Sequence, residues 1–321
     1  MKIFVTGSSG FVGSRVIALA QQQGISCVGQ RSLSAASEGE PSLFFANLTE
    51  STDWRPALHD IDVIVHCAAR VHQMNDKQDM LSLYRQTNVA GTLQLARQAS
   101  EAGVKRFIFI SSVKVNGEQT AAGQPFCAEV VTPPTDPYGL SKFEAEQGLL
   151  ALSRETGLDI VIIRPPLVYG PGVKANFQSM MRWMMKRVPL PLAAVDNRRS
   201  LVFIDNLVSL VLLCLEHPLA AGRVWMISDN HDVSTATLLA DMARALGVKN
   251  RSWRCPVAFL KYAAAMCGKR AMAERLLGSL QVDISDTQRC LGWQPSIPYH
   301  QAMLITANAF LAQSGEAKNA K

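Results

Sequence analysis

Short runs that are apolar almost from end to end, each followed by a stretch of helical periodicity, repeat through the first half of this chain. Lys2-Ile-Phe-Val-Thr6 predicts a first strand, and Phe11 to Gln22 a helix. Further strands are expected at Ile25–Gly29, Ser42–Ala46, Asp62–Cys67, Arg106–Ile110 and Asp159–Arg164, and helices over Leu81–Ala102 and Tyr138–Thr156. A strand with one wet face alternates apolar and polar residues; these do not, so both faces must be covered. Strands alternating with helices meet that demand as a parallel sheet clad on both sides, the doubly wound α/β nucleotide-binding architecture.

After Tyr169-Gly-Pro-Gly172 the rhythm changes. Helices dominate, including Thr235–Leu246 and Val257–Met266, with short strands such as Arg223–Ile227. The expected organisation is a Rossmann domain over residues 1–172, completed by segments near 199–228. A smaller, mainly helical substrate cap over 173–321 is partly interleaved with it and packs over the sheet's C-terminal edge. The small, polar tail from Ser314 to Lys321 is expected to fray.

Composition narrows the function classes. Hydrophobic residues make up 48% and charged residues 18% of the 321 positions, an ordinary globular balance. The net charge of +6 comes from scattered basic residues without a run or an aromatic array, which argues against nucleic acid and for a phosphorylated small molecule. Cysteines at 27, 67, 127, 214, 255, 267 and 290 are odd in number and form no Cys-x-x-Cys, which reads as reduced, buried thiols in a cytoplasmic protein. No signal peptide is evident after Met1. The longest apolar stretch, Leu201 to Leu215, is interrupted by Asp205, Asn206 and Ser209 and is too short to span a bilayer, so no membrane partner is expected.

Thr6-Gly7-Ser8-Ser9-Gly10-Phe11-Val12-Gly13 stands between the first strand and the first helix. Glycines there let the backbone turn tightly and approach a pyrophosphate, whose charge meets the free N–H groups of the helix. Gly7, Ser9, Gly10, Phe11, Val12 and Gly13 are therefore candidate cofactor contacts. An acidic residue after the second strand would hold the ribose 2′-hydroxyl of NAD, but the chain reads Val28-Gly29-Gln30-Arg31-Ser32. Arg31 suits a 2′-phosphate, so NADP(H) is favoured, with NAD(H) the other possibility. Two serines, Ser111 and Ser112, end the fifth strand, and Tyr138 and Lys142 lie four apart on one face of the expected helix. A cation beside a phenol favours the phenolate and suits proton transfer.

This set and the motifs TGSSGFVG at 6–13, HCAA at 66–69, TNVAGT at 87–92, SSVKVNG at 111–117, YGLSK at 138–142, RPPLVYGPG at 164–172 and RSLVFIDNL at 199–207 resemble an extended short-chain dehydrogenase/reductase of the sugar-nucleotide epimerase/dehydratase group. The resemblance spans nearly the whole chain. It implies that Tyr138 is the proton donor or acceptor at the reacting sugar oxygen and that Ser112 hydrogen-bonds that oxygen. It also implies that Lys142 binds the nicotinamide ribose and lowers the tyrosine pKa, and that Asn88 shapes the site. Further cofactor contacts are implied at Asn47, Leu48, Ala68, Ala69, Pro165 and Val168. Substrate contacts are implied at Ser111, Lys114, Lys174, Asn176 and Arg199, the last facing the nucleotide diphosphate. A homodimer is usual for the family.

Departures from the family pattern narrow the reaction. Val113 and Lys114 stand where 4,6-dehydratases carry an Asp-Glu pair, so elimination lacks its acid and base; Asn116 replaces a usual tyrosine. The chain is most similar to bacterial enzymes of surface-polysaccharide and O-antigen sugar synthesis, among them UDP-N-acetyl-6-deoxyhexosamine 4-ketoreductases. The leading expectation is NADPH-dependent reduction of such a 4-keto group. The alternatives are an NAD-dependent UDP-hexose or UDP-N-acetylhexosamine 4-epimerase and, more remotely, a dinucleotide-binding protein without catalysis. His66 and His72 read as core or loop histidines, not metal ligands. Met180, Met181, Met184 and Met185, with Trp183, read first as core filling and second as a flexible pocket lining.

Overall fold

A computed structural model describes residues 1–35, 43–70, 80–268 and 270–315, without the side chains of 271 and 272. Ser42, His72 and the tail beyond Gly315 lie outside the described residues. Seven strands, β1 (Lys2–Thr6), β2 (Ser26–Arg31), β3 (Leu43–Phe45), β4 (Val63–His66), β5 (Arg106–Ile110), β6 (Asp159–Arg164) and β9 (Arg223–Met226), form one sheet in the order β3-β2-β1-β4-β5-β6-β9. Every pairing is parallel. Two shorter strands, β7 (Leu167–Tyr169) and β8 (Leu201–Phe203), pair in parallel as a second sheet.

The two-residue period of a strand explains why the runs are apolar throughout. Ile3 and Val5 of β1 face one hydrophobic cluster, shared with Val65, Ile108, Ile110, Val161 and Ile163. Phe4, between them, faces the opposite cluster with Ile64, Phe107, Phe109, Ile160 and Ile162. Helices α1 (Phe11–Gln22) and α6 (Ile204–Cys214) supply residues to the first layer; α3 (Thr92–Glu101) and α4 (Pro137–Thr156) supply the second. A third cluster gathers Tyr169, Phe177 and residues of α5 (Ala175–Met185), α7 (Thr235–Ala245) and α11 (Tyr299–Ser314). Met180, Met181 and Met184 are buried in it with Met185 packed at its margin, so the methionine stripe is core filling; Trp183 is exposed.

Three expectations need correction. The helix expected over Leu81–Ala102 is broken into α2 (Met80–Tyr84), a π turn (Arg85–Gly91) and α3. The wider turn buries Asn88 and Gly91, and a Cβ at Gly91 would come within 2.9 Å of Leu48. Not all cysteines are buried: all are free thiols, but Cys127 and Cys267 are exposed and Cys67 and Cys290 only partly covered. The second strand runs on to Arg31, because β3 pairs Gly29, Gln30 and Arg31 with Leu43, Phe44 and Phe45.

Candidate active site

The sheet order turns at β1 and β4, and ligands of doubly wound sheets bind beyond the carboxyl ends of strands at such a switch. There the glycine-rich turn takes its shape from contacts that tolerate no side chain. Gly7 has φ +65°, and a Cβ on Gly13 would lie 2.3 Å from the Gly7 carbonyl oxygen. Gln30 stitches the turn to the sheet: its Oε1 accepts from Gly7 N at 2.9 Å, its Nε2 donates to Ala46 O at 2.6 Å, and its carbonyl accepts from Ser8 N and Oγ. The sequence shows that Gln30 is no acid, but not that it braces the turn.

Gly10 caps α1 without a side-chain hydrogen bond, beside the exposed Ser9, so the cap residue leaves the first N–H groups of the helix uncovered. Ala68 N donates to Thr6 Oγ1 at 3.1 Å, which sets Ala68 alongside Gly7, with Ala69 next in the chain. Asn47 Oδ1 accepts from Leu33 N, while Leu48 is buried beneath Gly91. Pro165 O accepts from Val113 N, and Val168 lies in β7. A bare helix N-terminus over a turn that admits only glycine fits a pyrophosphate, and hence a dinucleotide.

The residues expected to act on substrate come together where α4 meets the end of β5. Asp136 caps α4, its carboxylate accepting from Gly139 N at 2.9 Å, and Pro137 pre-sets the first helical φ. A Cβ on Gly139 would lie 2.6 Å from Lys114 O. The first turn of α4 thus packs directly on the short 3₁₀ turn Val113–Val115, which Ser112 caps by accepting from Lys114 N at 3.2 Å. That contact sets the Tyr138 end of α4 against the turn that Ser112 opens, and Lys142, one helical turn on, reaches the carbonyl of Ile110 two residues before Ser112.

Lys142 is buried, donating to Ile110 O at 2.9 Å with its ammonium 4.3 Å from the centre of the Phe109 ring. Burial pulls its pKa down to about 8, with Cys67 and Glu146 opposing. Asn88, in the π turn, accepts from Arg70 N at 2.8 Å and donates to Ser141 Oγ at 3.0 Å. It braces the loop after β4 against the residue next to Lys142.

The Tyr138 phenol departs from expectation. Burial pushes its pKa up to about 12, and the Tyr84 phenol and Asp136 carboxylate push the same way. Lys142, committed to the Ile110 carbonyl, does not reverse this. Tyr84 packs edge-on to Tyr138 with ring centres 5.9 Å apart, a neighbour that spacing alone does not reveal.

Ser111 needs the plainest correction. Its hydroxyl donates to Glu146 Oε1 at 2.5 Å inside a buried network in which Arg164 holds the same carboxylate through two nitrogens. It is spent on structure and does not fit a substrate contact. Lys114 remains at the site, its ammonium 3.2 Å from Asp136 and 6.0 Å from the Tyr138 ring centre. Lys174 and Asn176 are exposed at the start of α5, on either side of Ala175 with φ +55°. Arg199 donates to Arg275 O at 2.7 Å and Gly278 O at 3.0 Å, and burial lowers its pKa. His66 is a core histidine: Thr6 and Thr92 hydroxyls hold its two ring nitrogens at 2.8 and 3.0 Å.

The fold and this corner define a class. The profile of the NAD dependent epimerase/dehydratase family matches residues 3–228, and the chain belongs to that family. It is 46% identical, over 96% of its length and 95% of the relative's, to the UDP-glucose 4-epimerase of Vibrio cholerae. It is 27% identical, over 79% of its length and 75% of the other's, to the N-acetyl-alpha-D-glucosaminyl-diphospho-ditrans,octacis-undecaprenol 4-epimerase of Escherichia coli O157:H7. Among solved structures, UDP-glucuronic acid 4-epimerase from Bacillus cereus, in complex with UDP-glucuronic acid and NAD, superposes with a TM-score of 0.77 at 22% identity, covering 98% of this chain and all of that one. The protein is a sugar-nucleotide epimerase/dehydratase-family enzyme.

Proposed function

We propose that the protein epimerises C4 of a UDP-linked hexose or N-acetylhexosamine, working with NAD that it recycles. The observation that carries this reading is the 46% identity over 96% of the chain to a protein named UDP-glucose 4-epimerase. Reduction of a 4-keto sugar by NADPH is the weaker reading. It rests on Arg31 and the missing carboxylate after β2, whereas the solved neighbour is described with NAD.

The family's chemistry would be shared among this chain's residues as follows. A bound nicotinamide dinucleotide supplies the hydride acceptor and donor. The turn Gly7–Gly13 and the first N–H groups of α1 hold its pyrophosphate. Tyr138 takes the proton of the C4 hydroxyl as that carbon is oxidised and returns it to the same oxygen when the carbon is reduced on its other face, so no proton is gained or lost over the cycle. Ser112 donates a hydrogen bond to that oxygen and stabilises its developing charge. Lys142 would bind the nicotinamide ribose, its ammonium being held beside the site by the Ile110 carbonyl. Val113 and Lys114 offer no carboxylate pair for dehydration.

Purified protein incubated with UDP-glucose, UDP-galactose or their N-acetylated counterparts should interconvert the C4 epimers of one pair, resolved by anion-exchange chromatography. Tyr138→Phe should lose about a hundred- to ten-thousandfold in turnover while still binding cofactor. Absence of interconversion with every pair would sink the reading.

A further inference from the structure

Helix α8 (Val257–Met266) is unlike the other long helices: none of its residues is buried. Val257, Leu260 and Ala264 rest against the third hydrophobic cluster. The other side carries Phe259, Tyr262 and Met266, three and four residues apart and therefore on one stripe, with exposures of 60%, 66% and 73%. Just ahead of the helix, Trp253 is 52% exposed, although its backbone is fixed by hydrogen bonds to Leu190 and Ala193. Large apolar side chains held outward on a fixed backbone, close together in sequence, mark a contact surface.

The sequence around this stripe is basic, and its one described ion pair, Arg270 with Glu274, lies at its far end. From residue 245 to 273 the chain contains Lys249, Arg251, Arg254, Lys261, Lys269 and Arg270 and neither Asp nor Glu. Lys249, Arg251, Arg254 and Lys261 are exposed, and among the described residues none of them has a carboxylate within ion-pair distance. A second copy of the same basic face would repel this one. An anionic lipid surface satisfies both features: it attracts the Lys and Arg, and its headgroup boundary takes up Trp, Tyr and Phe side chains. Among the described residues no helix is long and apolar enough to cross a membrane, so the contact is peripheral.

We propose that the α8 face and the segment leading into it seat the enzyme on an anionic bilayer surface. The proposed contact is peripheral and leaves the expected absence of a span as it stands. The proposal is independent of the reaction at C4, and its test reads binding alone.

The full chain is floated with vesicles of phosphatidylethanolamine and phosphatidylglycerol, and separately with vesicles of phosphatidylcholine. It should float with the anionic vesicles only, and salt of about 0.5 M should release it. Arg251→Gln with Arg254→Gln should weaken partitioning about twenty-five-fold, at about fivefold per charge. Phe259→Ser with Tyr262→Ser should weaken it by more than about tenfold, both variants keeping the parent melting temperature. Failure to float with anionic vesicles would overturn the proposal, as would binding unchanged in both variants. So would a larger assembly of the parent protein that dissociates in the Phe259/Tyr262 variant, because the face would then join two copies.

Discussion

Ser111 and Ser112 are adjacent, carry the same hydroxyl, and do opposite work. An extended strand points successive side chains to opposite sides. Ser111 goes inward to Glu146 and Arg164, while Ser112 turns to the corner that holds Tyr138 and caps the 3₁₀ turn. Ser112→Ala should therefore cut turnover about a hundredfold or more, as expected for loss of a donor to a developing oxyanion, and cost about 1 kcal/mol of stability through the lost cap. Ser111→Ala should leave turnover within about threefold and lower the unfolding free energy by about 1–3 kcal/mol, because the Glu146 carboxylate loses a buried partner. Steady-state rates and denaturant melts on the two variants check both halves; a reversed pattern would assign the hydroxyls the wrong way round. The residue type was legible in the sequence and the direction was not, since direction depends on where the buried carboxylate of α4 lies.

At the scale of elements, β4 and α3 are joined through His66, which is held by threonines of β1 and α3 and stacked on Phe109 with ring centres 5.8 Å apart. Burial is the larger cause, and the Lys142 ammonium the smaller, that brings its pKa down from 6.5 to about 3. The folded state then binds fewer protons than the unfolded chain between those values. Stability is accordingly full above about pH 6.5 and falls as pH drops toward 3, at about 1.4 kcal/mol per pH unit. By pH 5 this one group should cost about 2 kcal/mol. His66→Gln should be less stable near neutrality yet show a shallower slope of unfolding free energy between pH 6 and 4; equal slopes would contradict the assignment. The strands themselves were legible because burial on both faces leaves them apolar without a break. The π turn was not. Within it Asn88 reaches Arg70 and Ser141, and such long-range hydrogen bonds leave no local periodicity.

Over the whole molecule, a sheet with a glycine-rich turn at one end carries a helical layer built around Tyr169, Phe177 and the buried methionines, and Val12 and Val168 pack against both cores. Class and family were legible because the motifs sit at strand ends, where the sheet order makes them converge. The direction of the chemistry was less so. Arg31 and the missing acid after β2 point toward NADP and reduction, but Gln30, which bonds Gly7 and Ala46 at that strand end, shows that the position is also occupied by structural work. The central claim is a reaction that returns what it takes. The most direct measurement gives purified enzyme an excess of UDP-galactose, or its N-acetylated counterpart, with no added cofactor, and follows epimer formation together with nicotinamide absorbance. We expect many sugars converted per protein molecule and no net change in nicotinamide. Conversion that stops at one sugar per protein and resumes only with NADPH, one consumed for each sugar, would contradict it.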